Sequence, residues 1–223
     1  MLKKPFIPFY IVAILHIIGD GFSWNLALWT KPLLMPSLLL CFYLSLGDRD
    51  RKRSCIRFAF LALVFSTLGD ILLQLEQTMH LPICFYIGLG AFLTAQVMYI
   101  LCFRNIGSIS ISRYWITIYI LYFISFLAIL YPGMSLGLKI PVTVYGLTLT
   151  FMAWNSWRCL KETSDGLFAP IGALLFVASD SILAINKFKS PISFAGIWIM
   201  VTYILAQYFI VMGVKSRAIE VKS

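Results

Sequence analysis

The chain has 223 residues, of which 61% are hydrophobic, 16% aromatic and 12% charged, with a formal net charge of +9 and a mean hydropathy of +0.90. Soluble domains run at roughly 45–50% apolar and 25% charged residues, so this composition excludes an ordinary soluble protein and points to a polytopic membrane protein. The expected fold class is all-α, a membrane helical bundle forming one integral membrane domain over 1–223.

A membrane helix needs about 20 mostly apolar residues to cross about 30 Å of hydrocarbon. Eight windows meet that requirement in chain order: 6–24, 32–47, 55–75, 82–103, 112–131, 138–158, 168–186 and 191–214. The second is short and is expected to begin at Lys31-Pro32, because proline suits the first turn of a helix, with Pro36 marking a kink or a later start. The N-terminal M-L-K-K-P-F-I-P reads as an uncleaved signal anchor, since no small-residue cleavage pattern closes the first apolar run.

Positive residues are retained on the cytoplasmic side of membrane proteins. With the N-terminus inside, Lys3, Lys4, Arg49, Arg51, Lys52, Arg53, Arg57, Arg104, Arg113, Arg158, Lys161, Lys215, Arg217 and Lys222 all fall inside, 14 of the 18 basic residues. Lys31, Lys139, Lys187 and Lys189 stay outside, and both termini are expected to be cytoplasmic. The net charge is thereby explained by topology, with no nucleic-acid partner, and the cluster G-D-R-D-R-K-R-S at 47–54 reads first as a topogenic loop.

The five cysteines, at 41, 55, 84, 102 and 159, have no C-x-x-C spacing, and two histidines are too few for a three-histidine zinc site. Nucleophile-elbow, P-loop and H-E-x-x-H motifs are absent from the sequence. Neither metal nor cofactor is expected.

The informative residues are polar ones inside the apolar runs. An aspartate near a membrane helix centre costs about 2.5–3.5 kcal/mol on insertion scales, so it normally faces the bundle interior. Asp20, Asp70 and Asp180 lie in the first, third and seventh windows. Ser66, Asp70 and Gln74 are spaced four apart and share a helical stripe, as do His16 and Asp20. Gln96 with Tyr99, Tyr145 with Thr148 and Tyr203 with Gln207 extend the polar interior. The neutral members also suit plain interhelical hydrogen bonding, whereas cheaper neutral residues would serve that purpose at Asp70 and Asp180.

A repeat is legible too. G-D-I-L-L at 69–73 resembles S-D-S-I-L at 179–183; Asp70 precedes Gln96 by 26 positions and Asp180 precedes Gln207 by 27. Pro32 and Pro141, each just after a lysine, precede those aspartates by 38 and 39. The offsets suggest duplicated halves, 1–108 and 109–223, each of four spans and parallel to one another, although Asp20 has no counterpart in the second half.

The blocks T-K-P-L-L-M-P (30–36), F-S-T-L-G-D-I-L-L (65–73), G-L-G-A-F-L-T-A-Q-V-M-Y (88–99), P-V-T-V-Y (141–145) and G-A-L-L-F-V-A-S-D-S-I-L-A-I-N-K-F (172–188) resemble the YhhN-type lysoplasmalogenase family. Gln96 departs from that pattern, where family members often carry His. The resemblance implies hydrolysis of the vinyl-ether bond of a lysoplasmalogen to a fatty aldehyde and glycerophosphoethanolamine or glycerophosphocholine.

Vinyl-ether hydrolysis proceeds by protonation of carbon, giving an oxocarbenium ion that captures water. It therefore calls for a carboxylic acid beside a carboxylate, a division of labour that burial and mutual repulsion of paired carboxyls favour in general. Asp70 and Asp180 are the expected pair. Lys31 and Lys187 are candidates for the lipid phosphate, with Asn186, Tyr145 and Tyr203 as hydrogen-bonding partners; Asp20, His16, Ser66, Gln74, Gln96, Tyr99 and Gln207 are accessory candidates. The alternatives are a small-solute or proton-coupled transporter, since buried carboxylates and repeats are also features of carriers, and a lipid-binding regulator without turnover. Minimal loops suit a bacterial inner membrane.

Overall fold

The computed structural model describes residues 4–22, 24–106, 114–160 and 164–220. Its helices are α1 (Ile7–Phe22), α2 (Trp24–Leu44), the short α3 (Asp48–Arg51), α4 (Ser54–Met79), α5 (Pro82–Ile106), α6 (Tyr114–Leu130), α7 (Leu136–Ser156), α8 (Phe168–Phe188) and α9 (Ala195–Glu220). Among the described residues there is no strand, and eight helices are long and apolar enough to cross a membrane. The protein is an integral multi-pass membrane protein. Of the basic residues in the charge pattern, Lys3, Arg113, Lys161 and Lys222 lie outside the described residues.

Seven spans begin and end within about a turn or two of their expected positions, and the second corrects the expectation. α2 begins at Trp24, eight residues before Pro32, and both Pro32 and Pro36 lie inside it. A proline at position 32 has no N–H to give to the carbonyl of Leu28, four residues back. That carbonyl accepts instead from Gln74 Nε2 of α4, at 2.7 Å. The helix continues through the proline because a side chain 46 positions away supplies the missing donor, as membrane helices require wherever a backbone group is released.

Hairpin ends follow local chemistry. α4 stops at His80, which takes the left-handed conformation (φ 53°, ψ 39°), and Pro82 opens α5, where its absent N–H costs nothing. His80 is thus a helix terminator. In the 47–54 cluster, Arg51 donates to Asp48 at 2.8 Å and its guanidinium lies 3.9 Å from the centre of the Tyr43 ring.

The chain divides into two compact units, the first reaching Cys102 and the second starting at Phe103. In the first unit α1 packs on α2 and α2 on α4, while α5 closes on α4 where Phe92 meets Gly69. In the second, α6 packs on α7, α7 on α8, and α8 most closely on α9. Small residues permit that last approach: a Cβ at Gly172 would stand 2.6 Å from the backbone nitrogen of Ile210, and one at Gly213 would stand 2.4 Å from that of Ala169.

Candidate functional site

In the first unit the polar stripe of α4 carries Ser66 and Asp70, which are 0% and 4% exposed, and the half-buried Gln74. A Cβ at Gly69 would lie 2.5 Å from the Phe92 ring, and one at Gly88 would lie 3.3 Å from Leu73. These paired contacts fix an antiparallel register, which sets Gln96 at the level of Ser66, one turn from Asp70. Gln96 is fully buried, and neither of its amide atoms has a hydrogen-bond partner among the described residues. Tyr99, also fully buried, follows one turn further along α5.

The Gln74–Leu28 hydrogen bond fixes the opposite side of α4. α2 and α4 run in opposite directions there, so advancing one turn along α2 and retreating one turn along α4 puts Lys31 and Pro32 at the level of Asp70. α1 is registered by two contacts. Gly19 lies against Ala27 and Leu26, and one turn earlier His16 Nδ1 is 2.9 Å from Thr30 Oγ1. Lys31 follows Thr30, the partner of His16, along α2. His16, Thr30, Lys31, Asp70 and Gln74 therefore occupy adjoining levels around the first half of α2, with the half-buried Asp20 one turn beyond His16.

The second unit holds its aspartate differently. Asp180, half-buried on α8, accepts a hydrogen bond from Tyr145 of α7 at 2.5 Å through Oδ2. Ser179, on one side of it in sequence, donates to the carbonyl of Ile199 in α9 at 2.9 Å. Ser181, on the other side, lies 2.6 Å from Tyr122 Oη of α6; its own hydroxyl donates to Val177 at 2.5 Å, so the tyrosine is the donor. Successive helical residues point about 100° apart, and these three reach three different helices. They fix the rotation of α8 about its own axis.

The remaining sequence candidates in this unit divide. Tyr203 is buried with its ring edge-on to Phe176, 5.7 Å between centroids, and Gln207 is fully buried one turn on. Asn186 is exposed, and its Oδ1 accepts from the backbone N–H of Ile192 at 2.8 Å, closing the α8–α9 connection. Lys187 is exposed at the end of α8. Sequence reading missed Thr30, Tyr122, Ser179 and Ser181. Thr30 stands beside Lys31, and the two serines flank Asp180, so adjacency to a charged residue is the signal that was available.

Among the described residues no group of three or more His, Cys, Asp or Glu side chains could hold a metal ion. The polar groups described so far are those of acid–base and hydrogen-bond chemistry in an apolar setting, where unpaired charge is costly and each partner counts.

Comparison with known proteins gives these residues a lineage. The chain is 32% identical over 152 residues to human lysoplasmalogenase TMEM86B, covering 68% of this chain and 61% of that protein. It is 30% identical over 202 residues to bovine lysoplasmalogenase TMEM86A, covering 85% of this chain and 80% of that one. The mouse lysoplasmalogenase TMEM86B is 28% identical over 187 residues, 83% of this chain and 75% of the relative. The chain thus matches less than two thirds of the human relative's length and most of the bovine one's. No solved structure gives a significant match. The YhhN family model matches residues 26–214, which contain every block from Thr30 to Phe188 and both Asp70 and Asp180, and the chain belongs to the YhhN family.

Proposed function

We propose that this protein is a membrane-embedded hydrolase that cleaves the vinyl-ether bond of lysoplasmalogens, releasing a fatty aldehyde and a glycerophospho-headgroup alcohol. The observation that carries this reading is the similarity, over 85% of the chain, to a protein named a lysoplasmalogenase. A carrier is not favoured, because the relatives are named for an enzymatic activity. A bacterial inner membrane is the compartment that the short loops suit.

In the proposed reaction an acid transfers its proton to the alkenyl carbon β to the ether oxygen. The resulting oxocarbenium ion is stabilised by a carboxylate and captures water at the α carbon, with the water's second proton returning to a base. The hemiacetal then expels the glycerol oxygen as alcohol and leaves the aldehyde. One water is consumed and no oxidant is needed. Asp70 and Asp180 supply the acid and the anion, in an order left to experiment. The Tyr145 hydroxyl orients the Asp180 carboxyl, Lys31 and Lys187 are the phosphate partners, the matched offsets favour a duplication, and the Lys and Arg bias of the loops favours cytoplasmic termini.

Purified protein assayed on a defined 1-alkenyl lysophospholipid, with an ester lysophospholipid as control, tests the reading. Aldehyde release is expected from the alkenyl substrate. It should fall roughly 10²–10⁴-fold in Asp70→Asn and in Asp180→Asn, the usual range for loss of a positioned acid or base. Folded variants with near-normal release would rule out the carboxyl mechanism while leaving the activity intact.

A further inference from the structure

His16 has one ring nitrogen engaged and one that is not. Thr30 Oγ1 carries a single proton and donates it to the Leu26 carbonyl at 2.8 Å. With that proton so used, the arrangement that satisfies both contacts has Thr30 accepting from His16, with the imidazole proton on Nδ1, 2.9 Å away. In the neutral ring this leaves Nε2 as a bare lone pair. His16 is 1% exposed, and Nε2 has no hydrogen-bond partner among the described residues. A native structure seldom leaves a buried acceptor unpaired without a use for it.

The neighbourhood narrows what would pair with it. Gln74 donates through Nε2 to Leu28, which fixes its amide orientation and turns Oε1 into a second buried acceptor without a partner among the described residues. The bare Nε2 of His16 calls for a ligand that brings a donor. The ammonium of Lys31, next in sequence to the threonine that His16 contacts, disfavours a cation in that position. A neutral hydroxyl fits both conditions. The level of Thr30 is about 3 Å along the α2 axis from that of Pro32, which lies across from Asp70. Donor and reacting bond would then belong to one small polar group, not to opposite ends of a long ligand.

On the reading that the substrate is an alkenyl lysophospholipid, we infer that His16 Nε2 accepts a hydrogen bond from the free hydroxyl on the central glycerol carbon, the group that distinguishes a lysolipid from a diacylated one. His16 is thereby a specificity-determining residue. Thr30 sets its tautomer, and Lys31 receives the adjoining phosphate. A site built to pair with a substrate hydroxyl discriminates against an analogue lacking it, because its own polar atom is then left buried and unpaired.

The test compares kcat/KM for a 1-alkenyl-2-hydroxy lysophospholipid with that for its 2-deoxy analogue, in which hydrogen replaces the hydroxyl and no bulk is added. The wild-type protein should prefer the hydroxy substrate roughly 10- to 100-fold, the equivalent of one unpaired buried acceptor. In His16→Phe the ratio should fall toward one, and His16→Gln, which keeps an acceptor on a side chain of similar reach, should recover part of it. If His16→Phe does not fold, Thr30→Val provides the same readout, since Nδ1 then loses the acceptor that holds the tautomer. A ratio that persists in a folded His16→Phe or Thr30→Val protein overturns the inference while leaving the hydrolase reading intact. Absence of aldehyde from either substrate with wild-type protein overturns both.

Discussion

The two units carry related aspartate motifs and restrain them by different physics. Around Asp180 the restraint is polar: Ser179, Tyr145 and Tyr122 tie one stretch of α8 to three helices. Around Asp70 much of it is steric and local to pairs of helices. Gly69 admits the Phe92 ring from α5, and one turn later Gln74 grips the backbone of α2. The position before the aspartate shows the contrast most directly, with a glycine in one motif and a hydroxyl donor in the other. Similar motifs can therefore be fixed in rotation by different means, because packing and interhelical hydrogen bonds both resist turning a helix about its axis.

If the restraint at Asp70 is steric, the largest stability effect should come from filling the glycine. Gly69→Ala gains up to about 1 kcal/mol in helix propensity but drives a methyl group into the Phe92 ring. A net loss of about 1–3 kcal/mol is expected in an unfolding titration in detergent, relieved by Phe92→Leu. Stabilisation by Gly69→Ala would mean that the ring yields without cost and that the contrast is misplaced.

A smaller effect is expected at Gln74. Replacement by leucine leaves the Leu28 carbonyl without its donor and should cost about 1–2 kcal/mol. Pro32→Ala restores a backbone N–H in the right place, so the double variant Pro32→Ala/Gln74→Leu should recover most of the loss. A double-mutant cycle reads this directly, and additive losses would show that Gln74 does not serve the proline.

The smallest changes should come from the polar restraint in the second unit. Ser179→Ala and Ser181→Ala each remove one interhelical contact, averaging about 0.6 kcal/mol in membrane proteins. Their stability losses should be near the detection limit. A loss at either serine as large as that of Gly69→Ala would erase the distinction between steric and polar fixing.

How much of this was legible in the sequence differs between fold and site. The bilayer imposes a length and a polarity on each span, so eight helices could be read from composition along the chain, and the ends of seven fell close to the observed ones. Asp70, Asp180 and the stripe through Ser66 and Gln74 were visible because a carboxylate in an apolar run is expensive wherever it sits. The start of α2 was not visible. Pro32 looked like a first-turn proline, and the residue that lets the helix run through it is Gln74 on another helix.

Hydroxyl residues show the same divide. In a membrane helix Ser and Thr usually satisfy themselves on their own backbone, as Thr67, Thr143, Thr148 and Thr150 do, donating to carbonyls four residues back. Adjacency to a charged residue is all that sets Ser179 and Thr30 apart in the sequence; that Ser179 reaches a different helix, and that Thr30 bonds its own helix and also orients His16, is not encoded there. The sequence by itself determined which segments enter the membrane and which charges accompany them, because transfer into hydrocarbon is decided residue by residue. Only the tertiary structure decided which polar atom meets which, and which nitrogen of His16 finds a partner among the described residues, because hydrogen bonds between helices depend on register and rotation that no single helix encodes.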